Sequence, residues 1–188
     1  ALQSIVILSA KTVVKKDAFQ NCPGKIIWPA GGSPEEKMKK LSEYMRNAQL
    51  MGFQTRDDVL EKYTGIESEV IVPWWVREIG PKAFAHDRTI TRVDLPEELR
   101  RIGKDAFVGC SKLEHIDFPK GLQEIGESAF YDCDSLEIVC LDVGNRPQMP
   151  EMKIGPLAFA GCTALRKVYL SGGLQEIPEY AFSQCRNL

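Results

Sequence analysis

Apolar and polar residues alternate along this chain in a figure that comes back every 23 residues. Ile79, Ile102, Ile125, Ile154 and Ile177 are separated by steps of 23, 23, 29 and 23. Five positions after each Ile stands Phe84, Phe107, Phe130, Phe159 or Phe182, always preceded by Ala. Three further on come Cys110, Cys133, Cys162 and Cys185, with Asp87 in the first unit. Ile90, Leu113, Leu136, Leu165 and Leu188 follow, then Val93, Ile116, Val139 and Val168. Two residues after these are Leu95, Phe118, Leu141 and Leu170, and Leu99, Leu122 and Leu174 close three units. A period of this length is the mark of a solenoid, in which each coil has an apolar edge that only a neighbouring coil can bury.

Within a unit, "LEHIDFP" alternates, placing Ile116 and Phe118 inward and His115 and Asp117 outward. That predicts a short strand, repeated in each coil as a parallel sheet and stopped by Pro96 or Pro119. "ELRRI" and "GLQEI" predict a second short extended segment. "GKDAFVGC" predicts a turn on the opposite side, with Gly103, Gly126 and Gly155 supplying a tight backbone bend.

The motif "IGKDAFVGCSKLEHIDFPKGLQE" and its copies resemble the BspA-like (Treponema pallidum-type) leucine-rich repeats, over Glu69 to Leu188. The resemblance implies an α/β leucine-rich-repeat solenoid with a short parallel sheet. It also implies a bacterial cell-surface or secreted protein, often one concerned with adhesion.

The repeat frame reaches back to Val70, Val72, Pro73, Val76 and Ile79, but "FQTRDDVLEKYTG" does not carry it. This stretch resembles the N-terminal cap of such arrays. It reads as a short helix capped by Thr55 or as a hairpin turning at Asp57-Asp58, and the resemblance favours the hairpin. Near the N-terminus, Leu2, Ile5, Ile7, Val14, Phe19 and Cys22 keep parts of the same frame. "GGSPEEKMKKLSEYMRNAQLMG" then predicts a helix over about 33–51. Ser33 is its N-cap, Pro34 its first residue and Glu36 the partner in a capping box, with Gly52 as the stop. The expected organisation is therefore residues 1–52 as the end of a first array with a capping helix, and residues 53–188 as the cap and start of a second. A single array with a helical insertion is the other arrangement these features allow.

Composition adds exclusions. With 24 basic and 26 acidic residues, scattered and unclustered, the chain has no electrostatic footprint for nucleic acid. No apolar run reaches the ~20 residues of a membrane-spanning helix, so no membrane insertion by this segment is expected. The start "ALQSIVILSA" lacks the basic segment of a signal peptide, and the chain reads as excised from something longer. No phosphate loop, dinucleotide fingerprint, zincin motif or nucleophile elbow is present, and no cofactor, metal or catalytic residue is assigned.

Five of the six cysteines occupy the repeat position and are expected to be core thiols rather than disulfides or zinc ligands. Cys140 falls between inward Val139 and Leu141 and should face out, with Asp117 as its column neighbour and His115 close by. A cysteine hydrolase is the reading this invites, but an open face without an oxyanion site argues for an incidental thiol.

The outward strand positions define the candidate partner surface: Arg92, Asp94, His115, Asp117, Ile138, Cys140, Lys167 and Tyr169. Mixed charge with apolar and aromatic members suits a protein partner. The bland alternative is a solvated sheet face. The 29-residue unit carries six extra residues within "DVGNRPQMPEMK", and Asn145, Arg146, Gln148 and Met149 form a candidate binding loop. Of Trp74 and Trp75, one is expected buried and one exposed. The resulting expectation is a monomeric, non-catalytic protein-binding module, with a structural spacer as the alternative.

Overall fold

The computed structural model describes residues 4–6, 25–27, 47–49, 51–141, 152–170, 174 and 176–188. The chain divides into two compact units, Ala1–Asn47 and Ala48–Leu188. In the first, strand β1 (Ser4–Val6) pairs in parallel with β2 (Lys25–Ile27), Ile5 standing opposite Ile26. The repeat positions at Leu2, Ile7, Val14, Phe19 and Cys22 lie outside the described residues. So does most of the helix expected over 33–51, of which residues 47–49 are helical.

The second unit opens on a hairpin. Strands β3 (Phe53–Arg56) and β4 (Val59–Tyr63) are antiparallel and turn at Asp57, whose φ is 54°. Asp tolerates this left-handed conformation better than most residues, and here it settles the choice between hairpin and helix.

After the hairpin each coil contributes two strands. One series is β5 (Glu69–Ile71), β7 (Arg92–Asp94), β9 (His115–Asp117), β11 (Ile138–Leu141) and β13 (Lys167–Leu170). The other is β6 (Glu78–Ile79), β8 (Arg101–Ile102), β10 (Glu124–Ile125) and β12 (Lys153–Ile154). The second series forms one continuous sheet with the hairpin, in the order β12-β10-β8-β6-β4-β3. Its outward column reads Glu78, Arg101, Glu124, Lys153, alternating in sign so that each charge sits beside its opposite.

The first series does not form one sheet. The ladder runs β5-β7-β9 and resumes as β11-β13, with no pairing between β9 and β11 among the described residues. The lapse coincides with Phe118, which stands where other coils have Leu95 or Leu141. Its ring packs edge-on against Phe130 at 5.6 Å and Phe159 at 6.4 Å.

On the third side, the turns also form a ladder. The N–H groups of Lys82, Phe84 and His86 donate to the carbonyls of Lys104, Ala106 and Val108 in the next coil, and later coils repeat this. The geometry demands two left-handed residues per coil. One column is Lys82, Asp105, Ser128, Leu157 and Tyr180; the other is His86, Gly109, Asp132, Gly161 and Gln184.

The glycines expected to make the tight bend therefore do something else. Gly103, Gly126 and Gly155 do not have positive φ. A Cβ on Gly126 would lie 2.7 Å from the Lys104 nitrogen and 2.8 Å from the Gly103 carbonyl carbon. These glycines let adjacent coils approach, and the unusual backbone angles fall two residues later on side chains with a Cβ.

The core is a stack of identical rungs. Phe84, Phe107, Phe130, Phe159 and Phe182 are stacked nearly parallel, with centroids 4.7, 5.0, 5.2 and 5.4 Å apart. Tyr63 and Phe53 of the hairpin continue this spine at its N-terminal end. Beside it runs a thiol column. Cys110, Cys133, Cys162 and Cys185 each donate to the carbonyl of the preceding coil's Phe, at 3.0–3.2 Å. All are free, and burial pushes their pKa values up, that of Cys110 to about 12. The core-thiol reading therefore holds for Cys110, Cys133 and Cys162, while Cys185 in the last coil is half-buried.

Candidate functional site

Side chains on β5, β7, β9 and β11 alternate strictly. Val70, Val93, Ile116 and Val139 are buried, so the residues on either side of each must point outward. Register places Glu69, Arg92 and His115 in one column and Ile71, Asp94 and Asp117 in the next. On the second ladder, Ile138 is paired with Lys167 and Cys140 with Tyr169. All eight predicted strand positions lie at the surface, in two groups.

The first group is electrostatically closed. Asp94 and Asp117 are register neighbours, and like charges side by side are unfavourable without a cation. Arg92 supplies one: its Nε donates to Asp94 at 2.9 Å and its Nη2 to Asp117 at 3.1 Å. Asp94 first, and Asp117 more weakly, hold the guanidinium pKa above its already high value. Arg92 is thus spent within the face, leaving His115 and the outer carboxylate edges available.

The second group is open and apolar. Ile138 is 45% exposed and Tyr169 53%. Leu170 keeps the expected core-side position, in register with buried Leu141; it is 38% exposed because β13 ends the ladder and no further coil covers it among the described residues. Lys167 has no ion-pair partner among the described residues, whereas its neighbour Arg166 is held by Glu137.

Cys140 is exposed, as expected, but the lapse between β9 and β11 removes the register that would set it beside Asp117. Its paired neighbour is Tyr169. The candidate loop residues Asn145, Arg146, Gln148 and Met149 lie outside the described residues. Trp74 is 49% exposed and meets half-buried Trp75 edge-to-face at 5.9 Å. The Trp75 indole nitrogen is buried without a hydrogen-bond partner. Among the described residues, no group of three or more His, Cys, Asp or Glu side chains is placed to hold a metal ion. None of their helices is long and apolar enough to cross a membrane.

Known proteins with this arrangement are repeat proteins. The solved structure of the T. pallidum leucine rich repeat protein is 35% identical, with a TM-score of 0.64, over 73% of this chain and 66% of that one. A leucine rich cell surface protein from Faecalibacterium prausnitzii is 30% identical, with a TM-score of 0.61, over 69% of this chain and 33% of its own. A leucine-rich repeat protein from Bacteroides ovatus is 28% identical, with a TM-score of 0.58, over 73% and 37%. The chain thus spans a third to two thirds of the length of these neighbours. No curated protein matches it. Residues 77–188 match the BspA type leucine rich repeat region in six copies. With its strand register, Phe spine and thiol column in agreement with that match, the chain belongs to the BspA type leucine-rich-repeat family.

Proposed function

We propose that this chain is a non-catalytic protein-binding segment of a bacterial cell-surface or secreted protein, adhesin-like in role. The observation that carries the reading is the exposed pair Ile138 and Tyr169, set with Lys167, unpaired among the described residues, on the outward face of β11 and β13, beside a first group whose charges are paired with one another. An exposed Tyr beside an aliphatic side chain offers contact area at low entropic cost. Lys167 and His115 at its margins supply orientation. The description of the Faecalibacterium neighbour as a cell surface protein supports the location.

Two further elements belong to this proposal. The segment 142–151, with Asn145, Arg146, Gln148 and Met149, leaves directly from β11 and so starts at the edge of the apolar cluster. Residues 1–52 and 53–188 are two arrays, with a capping helix over about 33–51 closing the first. The test is saturable binding of this chain to purified extracellular proteins by surface plasmon resonance. Tyr169→Ala and Lys167→Glu should each weaken a partner's binding at least tenfold, ~1.4 kcal/mol. Binding unchanged in both variants refutes this face as the contact.

The spacer reading draws on a different observation. The Phe spine runs through Phe182 and the alternating charge column through Lys153, which suits a stiff rod. It is favoured if no partner is found and shortening the array by one coil impairs only the reach of whatever the rod carries.

A further inference from the structure

The hairpin closes one sheet and leaves the other open. β4 pairs with β6, extending the second strand series to its N-terminal limit. Among the described residues, β5 has a partner on one side only, β7. The Ser68 carbonyl accepts from Arg92 N–H at 3.1 Å, and Val72 N–H donates to the Asp94 carbonyl at 3.0 Å. Ser68, Val70 and Val72 therefore turn their backbone groups toward β7. The N–H and C=O groups of Glu69 and Ile71 point the opposite way, and no hydrogen bond among the described residues reaches them.

We infer that this edge is a second docking site, taking an extended segment of a partner protein as an added parallel strand. Two outward N–H and two outward C=O groups in alternation, at strand spacing, are matched by another polypeptide backbone and by little else. Side chains around the edge define its sequence. Glu67 and Glu69 are exposed, and neither forms an ion pair among the described residues. The nearest cation, Arg92, is held by Asp94 and Asp117. Ile66 is 86% exposed, Ile71 37% and Trp74 49%. The added strand carries a basic residue opposite Glu69 and an apolar one opposite Ile71, two positions along. β7 already shows half of this pairing, since Arg92 stands opposite Glu69 on the other side.

The probe is a fluorescein-labelled peptide copying Thr91–Pro96 with Asp94→Ile, titrated with the full chain and followed by anisotropy. Saturable binding that weakens as salt rises is expected. Ile71→Pro removes the outward N–H and the Ile71 side chain but no bond of the ladder to β7, since that residue makes none there, and edge strands accept proline. It should weaken binding at least tenfold, as should Glu69→Lys on charge grounds. Tyr169→Ala should bind the peptide as tightly as the unaltered protein, which separates this edge from the sheet face proposed above. Absence of saturable binding at millimolar protein overturns the inference. So does binding by both Ile71→Pro and Glu69→Lys that is as tight as binding by the unaltered protein. If Ile71→Pro lowers the melting temperature, a peptide N-methylated at its Val decides in its place: undiminished binding of that peptide overturns the inference.

Discussion

Phe130 sits at the middle of the aromatic spine, and its removal tests whether the coils are held as one cooperative stack. The ring is fully buried. It stacks on Phe107 at 5.0 Å and on Phe159 at 5.2 Å, and Phe118 meets it edge-on. Phe130→Ala should cost about 3–5 kcal/mol from lost transfer energy and the cavity. Three ring contacts at ~0.5–1.5 kcal/mol each place it at the upper end of that range. A domain's total stability is only about 5–15 kcal/mol. The loss also falls on coil-to-coil coupling, because each coil touches only its neighbours. Phe182→Ala is the control: half-buried, it stacks among the described residues on Phe159 alone, at 5.4 Å. It should cost less than half as much. Urea unfolding followed by far-ultraviolet circular dichroism reads the whole array. Fluorescence in a Trp28→Phe background reads Trp74 and Trp75, N-terminal to the cut. The two signals should coincide in the unaltered chain and separate in Phe130→Ala, dichroism falling first. Equal costs for the two substitutions, or coincident transitions in Phe130→Ala, would refute cooperative stacking through the spine.

The thiol column makes stability fall with alkali. A thiol whose folded pKa lies above its unfolded value, ~8.5, contributes in full below that pH and loses its contribution as pH rises toward the folded value. Each buried thiol should steepen the decline by up to ~1.4 kcal/mol per pH unit above about pH 8.5, and Cys133→Ala should make it shallower in pH-dependent urea melts. In the native chain Cys140 should react with a thiol reagent well before Cys110, Cys133 or Cys162, as read by peptide mapping. Gly126→Ala should destabilise by about 1–3 kcal/mol, since the clash is with backbone that cannot swing aside. Lys82→Gly should stabilise by ~1 kcal/mol by relieving a φ of 59° on an exposed side chain without a partner; a thermal melt reads both changes.

The rungs were legible because a buried rung must be the same in every coil: Ile, Ala-Phe, Cys and Leu recur at fixed offsets, and the structure buries them through Leu165, whereas Ile177 and Leu188 of the last coil are exposed. The outward columns followed from the same arithmetic. What escaped was set by contact between coils rather than within one. The left-handed residues include Lys82, Ser128 and Leu157, none of which announces positive φ, because the turn ladder imposes it. Gly126 looked like a bend and is a point of close approach. Arg92 looked like a free recognition cation. Its capture was in principle readable, since a period of 23 already set Asp94 beside Asp117 and demanded a counter-charge. The lapse between β9 and β11 had no such signal, because Phe118 fills a position that its apolar equivalents Leu95 and Leu141 also fill.

The long unit has an engineering consequence. Lys153 and Ile154 pair with Glu124 and Ile125 just as Arg101 and Ile102 do, so six additional residues leave the ladder's count undisturbed. The register is reset by the rungs on either side, not by the length of chain between them. The span between Leu141 and Met152 is therefore a natural cassette. A foreign peptide spliced there would be displayed from a scaffold that does not need to know its length.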